Sequence, residues 1–369
     1  MPNLHLAVAL DGAGWHPAAW REQEAQPADI FTARYWTGLV AEAEAGKLDF
    51  VTIEDALGVQ SDDPAHVQGR LDAVLIASRV APLTHNIGLV PTATVTHTEP
   101  FHISKAIATL DYVSRGRAGW RVQLSARSNE AAHFGRRQIP ALDPANLDQQ
   151  VVADLFDEAA DYVEAVRRLW DSWEDDAEIR DAATGRFIDR DKVHYVNFEG
   201  RFFSVKGPSI TPRPPQGQPV VTALGHAEIP YRFASRAADV AYVTPTDVDN
   251  ARQIVGQVDV KHVFGDLVVF LEPTSPGFTV EPFTSDAAVF SGTPSQLADL
   301  LLEWQAAGLT GFRLRPGRLP ADLRGITRGL VPELRSRGVF RTEYEASTLR
   351  GLLGLPRPAN RYAEGARVA

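Results

Sequence analysis

The chain has 369 residues, with 37 basic and 47 acidic side chains and a formal charge of −10. It has no cysteine, which excludes disulfides, thiolate nucleophiles, iron–sulfur clusters and cysteine–zinc sites. The acidic balance argues against general nucleic-acid binding, no apolar run approaches the ~18 residues of a membrane span, and the first ten residues lack a basic start before their short apolar run, so the expectation is a cytoplasmic protein.

Short β-rich runs alternate with longer amphipathic ones. Leu4–Leu10 reads as a strand, Ala33–Gly46 as a helix with glycine at its stop, and Asp49–Ile53 as a buried strand. Leu71–Ala81 reads as a helix and Asn86–Val90 as a strand. Phe101–Ser114 reads as a helix with Ile103, Ile107, Leu110 and Val113 on one face. Ala118–Leu124 is a fourth strand and Val151–Trp173 a long helix. From about 171 to 217 the alternation stops. This stretch is acid-rich at Asp171–Asp181, proline-rich at its far end, and predicts a surface insertion with a small hairpin at Phe198–Val205.

The alternation then resumes: strands at Pro219–Ala223, Val240–Val243, His262–Leu271 and Thr310–Leu314, helices at Glu228–Ala237, Val248–Val258, Pro294–Ala307 and Pro320–Arg337. Thr293 before Pro294 has the pattern of an N-cap followed by proline at the first helical position. Eight strand–helix pairs predict a (β/α)₈ TIM barrel that uses residues 1–369 as one domain. The insertion then falls between helix 4 and strand 5. A basic C-terminal tail at about 340–369, with Arg341, Arg350, Arg357, Arg361 and Arg367, is expected to pack back on the barrel or on a neighbour. The acid-rich run reads as a solvated face and the tail as an oligomer contact.

Rossmann, P-loop, serine-hydrolase and zincin motifs are absent, and no metal site is indicated. In a barrel of this kind, chemistry sits at the carboxyl ends of the strands. There the chain places Trp15 and His16, then Glu54 and Asp55, then Thr92, Thr94, Thr96 and His97, then Arg121 and Gln123, then Gly225 and His226. Hydroxyls, carboxylates, imidazoles and indoles around one rim suit a flat polar heterocycle. Each threonine equally suits a plain strand end; Asp55 is more informative, because a carboxylate at a strand end must be solvated or paired, its structural alternative being a salt bridge to a loop arginine or an N-cap for the next helix.

The segments Trp15–Arg21, Ala43–Val51, Glu99–His102, Leu110–Trp120, Leu169–Glu174, Lys192–His194, Pro212–Gly217, Gly292–Pro294 and Val331–Tyr344 together resemble the bacterial luciferase-like flavin monooxygenases, in the branch of the nitrilotriacetate and dibenzothiophene-sulfone monooxygenases. The resemblance runs nearly end to end. It implies a TIM barrel, usually oligomeric, taking reduced FMN from a separate NAD(P)H:flavin reductase and using O₂ to oxidise a small organic substrate.

Carried over residue by residue, it implies cofactor-binding roles for Asp55, Thr94 and Gly225. Arg121 and His226 stand where they could supply further donors, and His97 is the candidate acid or base. Four positions depart from the family. Its asparagine is Arg121 here, its histidine and tyrosine fall on Val152 and Phe156, and its phosphate-loop serine falls on Ala227. The chain is also short between Tyr242 and Phe290, where the family carries much of its active-site cover.

Arg121 has two readings: it replaces the lost donors, or it pairs with Asp55 or Glu54 and closes the site. The alternatives to a homo-oligomeric monooxygenase are a flavin-degenerate barrel acting as a partner subunit and a deazaflavin-dependent oxidoreductase.

Overall fold

Eight parallel strands close into a barrel in the computed structural model, which describes residues 4–22, 24–139, 148–271 and 284–363. The strands in chain order begin with β1 (His5–Leu10), β2 (Phe50–Ile53), β3 (Gly88–Thr94) and β4 (Gly119–Gln123). Two surface hairpins follow, β5 (Glu178–Asp181) with β6 (Arg186–Ile188) and β7 (Phe198–Glu199) with β8 (Ser204–Val205). Then come β9 (Val220–Gly225), β10 (Val240–Val243), β11 (His262–Leu271), β12 (Ala288–Gly292) and β13 (Gly311–Pro316). The ring runs β1-β2-β3-β4-β9-β10-β11-β13. It closes where His5 of β1 meets Gly311 of β13. β12 stands outside the ring and pairs with the far half of β11, from Leu267↔Ala288 to Leu271↔Gly292.

The helices are α1 (Ala33–Ala45), α2 (Ala73–Val80), α3 (Pro100–Ser114), a short α4 (Ser128–Ala132), α5 (Gln149–Asp171), α6 (Glu228–Ala237), α7 (Val248–Val255) and α8 (Pro294–Ala306). A last helical run joins α9 (Ala321–Gly325) to α10 (Val331–Ser336) through one π-helical turn at Ile326–Leu330. The tail carries α11 (Leu349–Leu352). Thr293 forms the expected cap of α8, as a capping box with Gln296.

Three expectations change. Val113 is exposed, so the buried face of α3 is Ser104, Ile107, Ala108, Leu110, Asp111 and Ser114. The acid-rich stretch holds a hairpin of its own, β5–β6. Nor are all its acids a freely solvated face, because the tail neutralises two of them. Asp175 accepts from Arg213 and Arg357, and Asp171 from Arg213 and Arg361. The Arg357 and Arg213 hydrogen bonds hold the Asp175 carboxyl down at about 2. Insertion and tail thus bind each other; Arg367 lies outside the described residues.

Strand alternation sorts the interior into layers. At the amino-terminal end Ala7, Phe50, Val90, Val220, Val240, Tyr242 and Phe264 face inward, and Leu349 and Leu353 of the tail plug the opening. One residue pair further along the strands the interior turns polar: Thr52, Thr92, Arg121, Thr222, Asp266 and Arg313. The outward-facing Trp120, Phe312 and Leu314 pack in the shell between sheet and helices.

Candidate active site

Above the polar layer, at the carboxyl ends of the strands, a cavity of about 650 Å³ opens to the surface. The loop after β1 contributes Asp11, Trp15 and His16. The end of β2 gives Glu54 and Asp55, and the segment before α2 gives Gln60, Ser61, His66 and Arg70. β4 and its loop add Arg121, Gln123 and Arg127; α5 adds Phe156; the end of β9 adds Leu224 and His226; Asp286 and Arg315 close the ring.

The floor is a chain of alternating charges. Arg121 Nη1 lies 3.0 Å from Glu54 Oε2. The other oxygen of Glu54 accepts from Arg313 Nη1 at 3.0 Å. Arg313 Nε donates to Asp266 at 2.9 Å, and Arg315 Nε donates to the second oxygen of Asp266 at 2.9 Å. Arg315 also donates to Asp286, whose carboxylate lies 3.2 Å from His226 Nε2. His226 Nδ1 is 2.9 Å from Thr244 Oγ1.

Burial pushes the Glu54 and Asp266 carboxyls up. The guanidiniums of Arg121, Arg313 and Arg315 beside Glu54, and of Arg313 and Arg315 beside Asp266, push them further down, so both sit below the ordinary carboxylate range. Rings back two of the cations: Arg313 lies 4.4 Å from the Tyr242 ring centroid and Arg315 4.4 Å from that of Trp15. Trp15 is pinned in turn by a 3.0 Å bond from its indole Nε1 to the Ala9 carbonyl.

The expected site residues divide. Asp55, Arg121 and His226 meet on the cavity wall. Asp55 also anchors the wall: its two oxygens accept from the Ala56 and Ala73 amides at 2.8 and 2.9 Å, tying the strand end to the first turn of α2. Its carboxyl is raised by burial, against the pull of those amides. Thr94 and Gly225 stand behind the wall. Thr94 is buried at the end of β3, and its carbonyl accepts from Thr98. Gly225 ends β9 where a Cβ would come within 2.9 Å of the Tyr231 ring.

His97 is also off the cavity wall. It is buried in a left-handed conformation, stacked on Phe134 at 5.4 Å, with Nε2 unpartnered among the described residues. Burial lowers its pKa, with Arg137 adding to the effect. His97 is thus not among the residues that line the cavity.

The partner of Arg121 is Glu54; Asp55 is engaged by backbone amides. Asp266, Arg313, Arg315 and Asp286 went unread in the sequence, although charged residues at inward positions of otherwise apolar strands are themselves a signal. Among the described residues no group of three His, Asp or Glu is placed to hold a metal, and no helix is long and apolar enough to cross a membrane.

Residues 13–261 match the family model described as luciferase-like monooxygenase. The chain belongs to the luciferase-like monooxygenase family. It is 30% identical to N-acetyl-S-(2-succino)cysteine monooxygenase of Bacillus subtilis (strain 168) over 98% of this chain and 99% of that protein. It is 29% identical to component A of nitrilotriacetate monooxygenase of Aminobacter aminovorans over 98% of each. The structure of EDTA monooxygenase from Chelativorans sp. BNC1 superposes with a TM-score of 0.83 at 24% identity, over 96% of this chain and 99% of that one, which bears on the fold alone.

The alignment with the Bacillus protein runs over 445 positions, more than the 369 residues here, so that relative carries segments this luciferase-like chain lacks. Between Tyr242 and Phe290, where the family cover is expected to be cut back, the chain holds α7 and β11, and residues 272–283 lie outside the described residues. Of the departing positions, Arg121 and Phe156 line the cavity itself.

Proposed function

We propose that this luciferase-like monooxygenase oxidises a small organic substrate with O₂ and reduced FMN, taking the reduced flavin from a separate NAD(P)H:flavin reductase and working as a homo-oligomer in the cytoplasm. The observation that carries this reading is the cavity, whose volume of about 650 Å³ lies in the range of small-molecule sites. Its walls mix flat or apolar side chains, Trp15, Val122, Leu124, Phe156 and Leu224, with donors at two ends.

The donor set fits a flavin mononucleotide. At the inner end, Arg121 carries a buried Nε with no partner among the described residues, a donor that suits a ring carbonyl or ring nitrogen. Next to the cavity-lining His226, α6 starts at Glu228 behind Ala227, an N-cap with no side-chain hydrogen bond, so the amides of Glu228 and Ile229 suit a phosphate. His226 stands beside that terminus, and Gly225 keeps the strand end close against Tyr231. In this reading Asp55 holds the wall facing the ring, and Thr94 supports the strand end behind it.

When bound, reduced flavin supplies the two electrons with which one atom of O₂ enters the substrate and the other leaves as water. The protein's part is to hold the ring flat, keep water off it with Trp15 and Phe156, and fix a substrate against it. Relatives are named for molecules as unlike as nitrilotriacetate and dibenzothiophene sulfone, so membership alone does not set the substrate.

The test is a fluorescence and absorbance titration with oxidised and then anaerobically reduced FMN. Saturable binding, tighter for the reduced form, is the expected result; no binding of either form would sink the reading.

A second reading has its own observation. The Arg121–Glu54 pair occupies the floor, and Val152, Phe156 and Ala227 lack the polar groups of the family pattern. A barrel altered in this way also suits the partner subunit of a complete paralogue. Both subunits of pristinamycin IIA synthase match this chain, at 28% and 26% identity. A native mass showing a stable heteromer with a paralogue, and no flavin on this chain, is what that reading expects.

A further inference from the structure

Arg121 is fixed on one side and unmet on the other. Only 5% of it is exposed, and it lines the cavity floor. Its Nη1 is engaged three ways, 2.8 Å from Gln123 Oε1, 3.0 Å from Glu54 Oε2 and 3.3 Å from Thr92 Oγ1. Its Nε is buried with no acceptor, and among the described residues Nη2 donates to nothing. Nε–H and Nη2–H lie along one edge of a planar guanidinium. They point the same way, at the spacing that two oxygens of a carboxylate meet.

Among the described residues, no carboxylate is left on the cavity wall to fill that edge. Glu54 is shared with Arg313, and Asp286 is held by Arg315 and His226. Asp11 is taken by Arg70, and Asp55 by two backbone amides. The guanidinium cannot swing away to find another acceptor, because Gln123 and Thr92 of the barrel wall hold it. A buried cation with an unmet two-donor edge, on a cavity whose described carboxylates are all engaged elsewhere, is built to receive an anion from outside.

We propose that the Nε–Nη2 edge of Arg121 recognises a planar anionic group on the molecule bound in the cavity. This rests on the reading of the cavity as the flavin and substrate site. Two sources carry that chemistry: the ionised pyrimidine edge of reduced flavin, and the carboxylate of an organic substrate. A neutral ligand edge gains less here, since it pairs with the fork without the charge-assisted strength of an anion.

The experiment compares the intact protein with its Arg121→Gln and Arg121→Lys variants. In each, affinity is measured for oxidised FMN, for anaerobically reduced FMN, and for benzoate against benzamide as a flavin-free pair. Glutamine removes the charge and the fork. Glu54 keeps Arg313 in that variant, so the floor retains a paired carboxylate. Lysine keeps the charge and removes the fork, and stands in if the glutamine variant does not fold.

If the flavin is the source, the wild type binds reduced FMN about tenfold or more tighter than oxidised FMN. Glutamine abolishes that ratio and lysine keeps part of it. If the substrate is the source, benzoate outbinds benzamide by a similar factor in the wild type alone, and the flavin ratio is unchanged among the variants. Failure of both flavin forms to bind overturns the flavin reading, and the benzoate arm then still decides this one. The proposal is overturned if the wild type distinguishes neither pair, or if the substitutions leave both ratios as they were.

Discussion

Arg313 donates to Glu54 at 3.0 Å, joining the last barrel strand to the end of the second with β1 between them. That bond and the 3.0 Å approach of Arg121 make Glu54 the shared acceptor of two buried cations. Replacing it by alanine leaves Arg121 without its carboxylate, while Arg313 keeps Asp266, and breaking a buried pair from one side costs about 3–5 kcal/mol. Glu54→Ala is therefore expected to lower the urea midpoint strongly, and Glu54→Gln, which still accepts one bond, less. The pH dependence has a definite sign. The folded carboxyl sits below its ordinary value, so its stabilisation is complete above the unfolded pKa of about 4.3 and fades as pH falls through the folded one. Unfolding curves between pH 7 and pH 3 should show a shallower acid loss in Glu54→Gln than in the wild type.

The opposite end of the barrel titrates for a different reason. His262 Nε2 donates to the Leu353 carbonyl at 2.7 Å, tying β11 to the tail. Burial pushes its pKa down to about 4, His5 and Lys261 push the same way, and the Leu353 carbonyl and Asp49 oppose them. A histidine held neutral in the fold contributes stability that is complete above about 6.5 and is lost as pH falls toward 4. Allowing for partial solvent contact, wild type should lose roughly 1–2 kcal/mol more than His262→Gln between pH 7 and pH 5. Equal losses in calorimetric unfolding of the two proteins would count against it.

The barrel was legible because its signals are local. Helix spacing and strand alternation placed α6, β10 and β11 at their observed bounds. The charged pairs of the interior were not legible. Asp266 meets Arg313 only because β11 and β13 pair in one register, and Glu54 meets both Arg121 and Arg313 only because the sheet closes. The cavity wall from Gln60 to Arg70 also went unread, since an irregular segment carries no period. The placing of His97 was also not legible: it follows a strand end, but its left-handed backbone sets the ring against Phe134 rather than on the cavity wall.

The tail is expected to be part of the fold. Leu349 and Leu353 fill the amino-terminal mouth of the barrel against Phe50, Val90, Tyr242 and Phe264. The fit is close: Leu349 methyls occupy the space that a Cβ on Gly88 or Gly119 would need. Truncating a buried leucine to alanine costs about 2–5 kcal/mol. Leu349→Ala should therefore lower stability by that amount without changing FMN affinity. Deleting Phe340–Ala369 should expose the aromatic floor and abolish soluble expression. A truncated protein with the wild-type melting temperature would show that the plug is dispensable.

Ala227 offers a gain rather than a loss. It is the N-cap of α6 and supplies no side-chain acceptor to the first turn; with Pro230 at the third helical position, serine there has the Ile229 amide to accept from. Ala227→Ser should stabilise the protein by about 0.5–1 kcal/mol through the cap alone, a rise seen in thermal unfolding without ligand. It also places a hydroxyl beside the amides proposed to hold the flavin phosphate. If the phosphate sits there, the same variant binds FMN more tightly but gains nothing toward riboflavin, which has no phosphate. Equal changes toward both ligands would place the phosphate elsewhere, and the gain in melting temperature would remain as the effect of the cap.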